Sequence, residues 1–100
     1  MIPLQQLRLD RVEQEALLYA LENIHDEVYM FGSRLDHQEK GGDIDIVVFS
    51  REDSFVLSRN IAQRFFMRCE EKIDVLVFDR NALLGHQRAF LDSLTLVRIQ

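Results

Sequence analysis

Three aspartates carry the chemistry that this sequence suggests. Asp43 and Asp45 stand in "GGDIDIVVF", where they alternate with isoleucine and valine in a run that is otherwise strand-forming, and Asp74 stands in the similar run "KIDVLVF". Side chains alternate along a strand, so Asp43 and Asp45 share one face while Ile44, Ile46 and Val48 occupy the other. Two carboxylates one pleat apart raise each other's pKa and oppose burial unless a cation or several donors offset the repulsion. A divalent metal ion meets that need, and carboxylate oxygens suit magnesium; Asp74 supplies a third ligand. A tight turn with solvated acids would also produce the string GGDID taken alone.

Upstream, Gly32 and Ser33 follow the β-prone run "EVYMF" directly. Glycine lets the backbone turn sharply and present N–H groups to an anion. Arg34 adds a planar fork of donors matched to phosphate oxygens, and Lys40 adds a point charge from the loop; both also read as surface cations. Gly41 and Gly42 make the tight turn through which Asp43 enters its strand. Carboxylates that bind metal, beside a backbone cradle for phosphate, are the parts needed for phosphoryl or nucleotidyl transfer. Two metal ions can hold the attacking oxygen and the leaving pyrophosphate in line, without a covalent nucleophile.

The elements that must position these residues follow from periodicity. Asp10 and Glu13 have the spacing of a capping box, ahead of a helix whose inward residues are Val12, Ala16, Leu17, Ala20, Leu21 and Ile24. Residues 27–31 and 43–49 read as strands, and Ser50 as the cap of a second helix that carries Phe55, Ala62, Phe65, Phe66 and Cys69 inward. A third strand follows at 72–78. Asn81 then caps a last helix through Phe90 and Leu91, and "LTLVRI" closes the chain as a short strand or apolar tail. This order predicts an α/β fold with a small mixed β-sheet packed against helices, as a single domain over residues 1–100. The second and third strands, joined by a helix, run parallel, which brings Asp43 and Asp74 to one edge of the sheet. An antiparallel first strand brings Gly32 and Ser33 to the same edge.

Composition limits the partners. With 12 basic against 17 acidic residues, the chain is poorly suited to hold a nucleic-acid backbone unaided, because that affinity comes mostly from neutralising phosphates. Cys69 is the single cysteine and cannot form an internal disulfide, no apolar run approaches a membrane span, and residues 1–25 lack the order of a secretory leader. These features point to the cytoplasm. His25 and His86 have no metal-ligand spacing, and no serine-histidine-acid arrangement competes with the aspartates.

Taken together, G-S-R, then D-I-D eleven positions after the glycine, then an isolated aspartate in a later hydrophobic strand resembles the nucleotidyltransferase superfamily of DNA polymerase beta, specifically its minimal nucleotidyltransferases. The resemblance spans residues 31–78, and the element order is similar across nearly the whole chain. It implies the polymerase-beta-type fold, with Gly32 and Ser33 holding the triphosphate of ATP or another NTP and Arg34 and Lys40 beside them. It also implies two magnesium ions on Asp43 and Asp45, with Asp74 completing the site by helping to activate the acceptor hydroxyl. The loop departs from the pattern most associated with the minimal family: it is one residue shorter and lacks a second small-residue and glycine step after Arg34. It is closer to a branch written G-S-R-x-D-D-x-x-x-G-G-D-I-D, with His37 in place of the second aspartate.

Many relatives of this size are antitoxins paired with a HEPN-family toxin, a helical ribonuclease that some of them silence by adding AMP. The resemblance therefore implies a nucleotidyltransferase that modifies a helical partner protein, the acceptor site coming from that partner or a second copy of the chain. The alternative is a catalytically silent module of the same fold that masks its partner by binding. A standalone enzyme acting on a small molecule ranks last, since so short a chain encloses a pocket with difficulty.

Overall fold

The computed structural model describes residues 1–38 and 41–100, so the expectation for Lys40 lies outside the described residues. After a 3₁₀ turn at Leu4–Gln6, helix α1 spans Arg11–Ala20. Its N-terminus forms for the reason visible in sequence: the Asp10 side chain accepts from the Glu13 N–H, and the Glu13 side chain accepts from the Asp10 N–H, each at 2.8 Å. Strand β1 is Glu27–Phe31, β2 is Ile44–Phe49, α2 is Ser54–Phe66 and β3 is Ile73–Phe78. Helix α3 follows at Gly85–Asp92 and a two-residue strand β4 at Val97–Arg98.

The sheet is mixed, in the order β3-β2-β1-β4. Strands β2 and β3 run parallel, and β1 runs antiparallel to both β2 and β4. The α/β architecture, the parallel β2–β3 pair and the antiparallel β1 are as the sequence predicts. One face of the sheet presents Val28, Met30, Ile44, Ile46 and Val48, and the main core forms where these meet Ala16, Leu17 and Ala20 of α1 and Leu57, Ile61 and Phe65 of α2. The opposite face carries Phe31, Asp45, Asp74 and Phe78, and Phe90 of α3 sets its ring against those of Phe31 and Phe78 at 6.4 and 6.5 Å. Alternation along β2 and β3 thus sends Ile44, Ile46, Val48, Ile73, Val75 and Val77 toward the core and Asp45 and Asp74 to the other side.

Several local expectations need correction. Helix α2 is capped by Asp53, which accepts from the Val56 N–H at 2.9 Å, whereas Ser50 is buried and its hydroxyl accepts from the Glu52 N–H in the preceding bend. Leu57, Ile61 and Phe65, four residues apart, define the buried stripe of α2. Phe55 and Phe66 lie well off that stripe and are 69% and 60% exposed, so neither belongs to the core; Cys69 does. Val12 is likewise exposed at the start of α1. Asn81 sits in a 3₁₀ turn capped by Asp79, and α3 begins only after Leu84, whose N–H donates to the Gln87 side chain. Among the described residues, no helix is long and apolar enough to cross a membrane.

Candidate functional site

The parallel pairing of β2 and β3 sets Asp45 directly opposite Asp74, with Asp43 just before β2. Burial first, then the charge of Asp74 and a hydrogen bond with it, then the charge of Asp43 push the Asp45 carboxyl above its ordinary pKa, against the opposing pull of Lys72. Gly32 closes the group from the β1 side. Its φ of +82° favours glycine, and a Cβ there would come within 2.5 Å of Asp45 Oδ2. Gly42, with φ of +86°, lies against the Ser33 hydroxyl in the same way, so any larger residue would collide with it. Gly32, Ser33, Asp43, Asp45 and Asp74 are therefore gathered at one sheet edge.

Lys72 is a participant that sequence reading misses. Its ammonium lies 3.6 Å from Asp43 Oδ2 and 3.7 Å from Asp74 Oδ1, both across a solvent-facing gap. The oxygens of Asp43, Asp45 and Asp74 do not all come within 4.8 Å of one another. The set fits a hard divalent cation by its chemistry: oxygen ligands alone, on half-exposed side chains, around a point where a cationic group already sits. The signal for Lys72 in sequence is slight, because a lysine two residues before Asp74 reads as a surface charge at a strand entrance.

Arg34 is the main departure. Its guanidinium is an internal group, 6% exposed as a residue, rather than part of a phosphate cradle. Nη2 lies 2.7 Å from Glu13 Oε2 and 3.3 Å from Glu71 Oε2, Nε donates to the Gly42 carbonyl, and Nη1 donates to the Arg8 carbonyl. Every nitrogen of the fork is engaged, so the charge is spent on the scaffold. Hydrogen bonding to Glu13 raises the Arg34 pKa despite burial. Burial would raise Glu13, but its hydrogen bonds with Arg34, Glu71 and the Asp10 N–H, together with the Arg34 charge, outweigh this and bring it to about 2. Glu71 moves upward, chiefly because it shares a hydrogen bond with Glu13. Oxygens of Asp10, Glu13 and Glu71 do come within 4.8 Å of one another, and the cation among them is Arg34.

Arg8 completes the support. It donates to the carbonyls of Ser33 at 3.2 Å and Asp36 at 3.0 Å, and to that of Gly41 by a short contact. Two arginines, one ahead of α1 and one within the motif, thus hold the carbonyls of Ser33, Asp36, Gly41 and Gly42, which fixes the turn on both sides of the loop. Nothing in the local sequence around Arg8 announces this, since its partners lie 25 to 33 residues away. No family model matches this chain, and no curated protein matches it in sequence.

Proposed function

We propose that the chain is a metal-dependent nucleotidyltransferase with a minimal polymerase-beta-type fold, moving a nucleoside monophosphate, AMP from ATP, onto a hydroxyl of a partner protein. The single observation that supports this most is the convergence of Asp43, Asp45 and Asp74 with Gly32 at one sheet edge, where Asp45 and Asp74 face each other in register. Like charges so placed lower stability by themselves, and a bound cation accounts for their position.

In this reading Asp43 and Asp45 hold magnesium, Asp74 acting as a further ligand. When bound, the ions supply charge neutralisation for the triphosphate and the departing pyrophosphate. Gly32 and Ser33 hold the phosphates; the absent side chain of Gly32 lets the Asp45 carboxylate lie directly against the turn. Asp74 orients the acceptor hydroxyl and takes up its proton on a carboxylate oxygen as the new O–P bond forms and the bond to pyrophosphate breaks. Arg34 and Arg8 act through the backbone, by holding the carbonyls of Ser33, Asp36, Gly41 and Gly42.

The acceptor proposed is a helical HEPN-like toxin, with this chain as its antitoxin. A second reading, a silent module that masks its partner by binding, draws on Lys72, which already offsets Asp43 and Asp74 from within the chain. Incubating the chain and its co-purified partner with magnesium and ATP, then weighing each intact protein, tests the enzyme. Gain of one nucleoside monophosphate on the partner, abolished by Asp43→Asn with Asp45→Asn, is the expected result; unchanged masses with persistent inhibition of the partner favour the masking module.

A further inference from the structure

A cleft of about 730 Å³ opens beside Gly32, between the segment that follows β1 and the end of α3. That volume lies within the roughly 300–1,000 Å³ of small-molecule sites and is far larger than a phosphate group needs. Leu35 and Gln38 line one wall, Leu94 and Thr95 the other, and Gly32 is common to the cleft and to the aspartate group. Among the described residues, Asp36 and His37 line the cleft and no lysine or arginine does, so it lacks the permanent cations that hold an anionic group. A ligand that spans Gly32 therefore has two chemically different ends: an anionic end carried by cations at Asp43 and Asp45, and an uncharged end between the two leucines.

We propose that this cleft takes the nucleoside of the donor triphosphate, with the base between Leu35 and Leu94 and its edge read by the Gln38 amide. The inference rests on the nucleotidyl-transfer reading and adds to it the residues that select the nucleotide. The half-buried leucines, one from each wall, supply apolar surface for the faces of a base. An amide offers one donor and one acceptor side by side, the pair that matches the adenine N6 and N7 positions. Gln38 is presented by an Asx turn in which its N–H donates to Asp36 Oδ1 at 2.9 Å.

Calorimetric titration of the whole chain with magnesium-ATP and with magnesium-tripolyphosphate tests this, in wild type and in Leu94→Trp and Thr95→Trp. Thr95 is exposed and Leu94 is not packed on the main core, so both variants should keep the wild-type melting temperature. The expected result is ATP binding on the order of tenfold tighter than tripolyphosphate in wild type, the factor of one well-buried apolar contact. Both tryptophan variants should lose most of that difference while binding tripolyphosphate as before, and Gln38→Ala should reduce the preference for ATP over GTP. Equal binding of ATP and tripolyphosphate by wild type, or ATP binding untouched in both folded variants, overturns the cleft assignment and leaves the metal-phosphate reading standing. Binding of neither overturns both.

Discussion

Replacing Asp45 with asparagine keeps its shape and its ability to hydrogen-bond Asp74 but removes the charge that burial and two neighbouring aspartates oppose. Like charges directly opposite on paired strands destabilise by about 0.2–1 kcal/mol, and partial burial adds to this, so Asp45→Asn should stabilise the metal-free protein by about 0.5–1 kcal/mol at pH 7. For a domain of this size that corresponds to a rise of roughly 2–6 °C in melting temperature. The sign depends on pH. Asp45 has a folded pKa above its unfolded one, so folding favours its protonated form, and this contribution is complete below the unfolded pKa and is lost as pH rises through the folded one. The advantage of the variant should thus be present at pH 7 and shrink at about pH 3, below the ordinary aspartate range. Magnesium-ATP at about one hundred times its dissociation constant would add about 2.7 kcal/mol to wild type, and the variant should forfeit most of that. Thermal melts of both proteins, with and without magnesium-ATP, measure every quantity. An Asp45→Asn variant that melts below wild type without metal, or gains as much from magnesium-ATP, would show that the Asp45 charge is neither a cost to the fold nor a metal ligand.

Three other outcomes follow from the geometry. Arg34→Met leaves Glu13, 3% exposed, without its cation, and breaking such a pair from one side costs about 3–5 kcal/mol, so urea titration should show a large loss of stability; a variant as stable as wild type that only loses ATP would return Arg34 to the phosphate site. Lys72→Met removes the cation between Asp43 and Asp74 and should tighten magnesium binding roughly 3- to 10-fold at low salt and less at high salt, as read by calorimetry. Glu13, lowered from 4.5 to about 2, contributes stability that is present above about pH 4.5 and lost as pH falls toward 2. Because Glu71 shifts the opposite way, the net effect is smaller than Glu13 alone would give, about 1–2 kcal/mol, and the difference in stability between wild type and Glu13→Gln should narrow across that acid range.

Period and chain order are what the sequence makes legible. The alternation in residues 43–49 and 72–78, with a helix between them, predicts parallel strands and places Asp43 and Asp74 at one edge; the register, which sets Asp45 rather than Asp43 opposite Asp74, comes from the packing of the strands and has no signal in sequence. The Asp10–Glu13 capping box is local and equally legible. Arg34 is not. Its type suits phosphate, but its partners Glu13 and Glu71 lie 21 and 37 residues away, and only the docking of α1 and the pairing of β3 with β2 bring them to it. Phe55 and Phe66 show a related limit: both suit a core, yet burying the stripe of Leu57, Ile61 and Phe65 fixes the rotation of α2 and turns the two phenylalanines outward. Lys72 and Arg8 act across strands and loops, where charge gives no directional signal in sequence.

Transfer of a nucleotide by the aspartate group, as proposed, would show in the intact mass of the partner after incubation with magnesium and ATP. The partner should gain one nucleoside monophosphate with wild type and none when Asp43 and Asp45 are both replaced by asparagine. A partner that stays bound and gains nothing, from a wild-type chain that demonstrably binds magnesium-ATP, would contradict it.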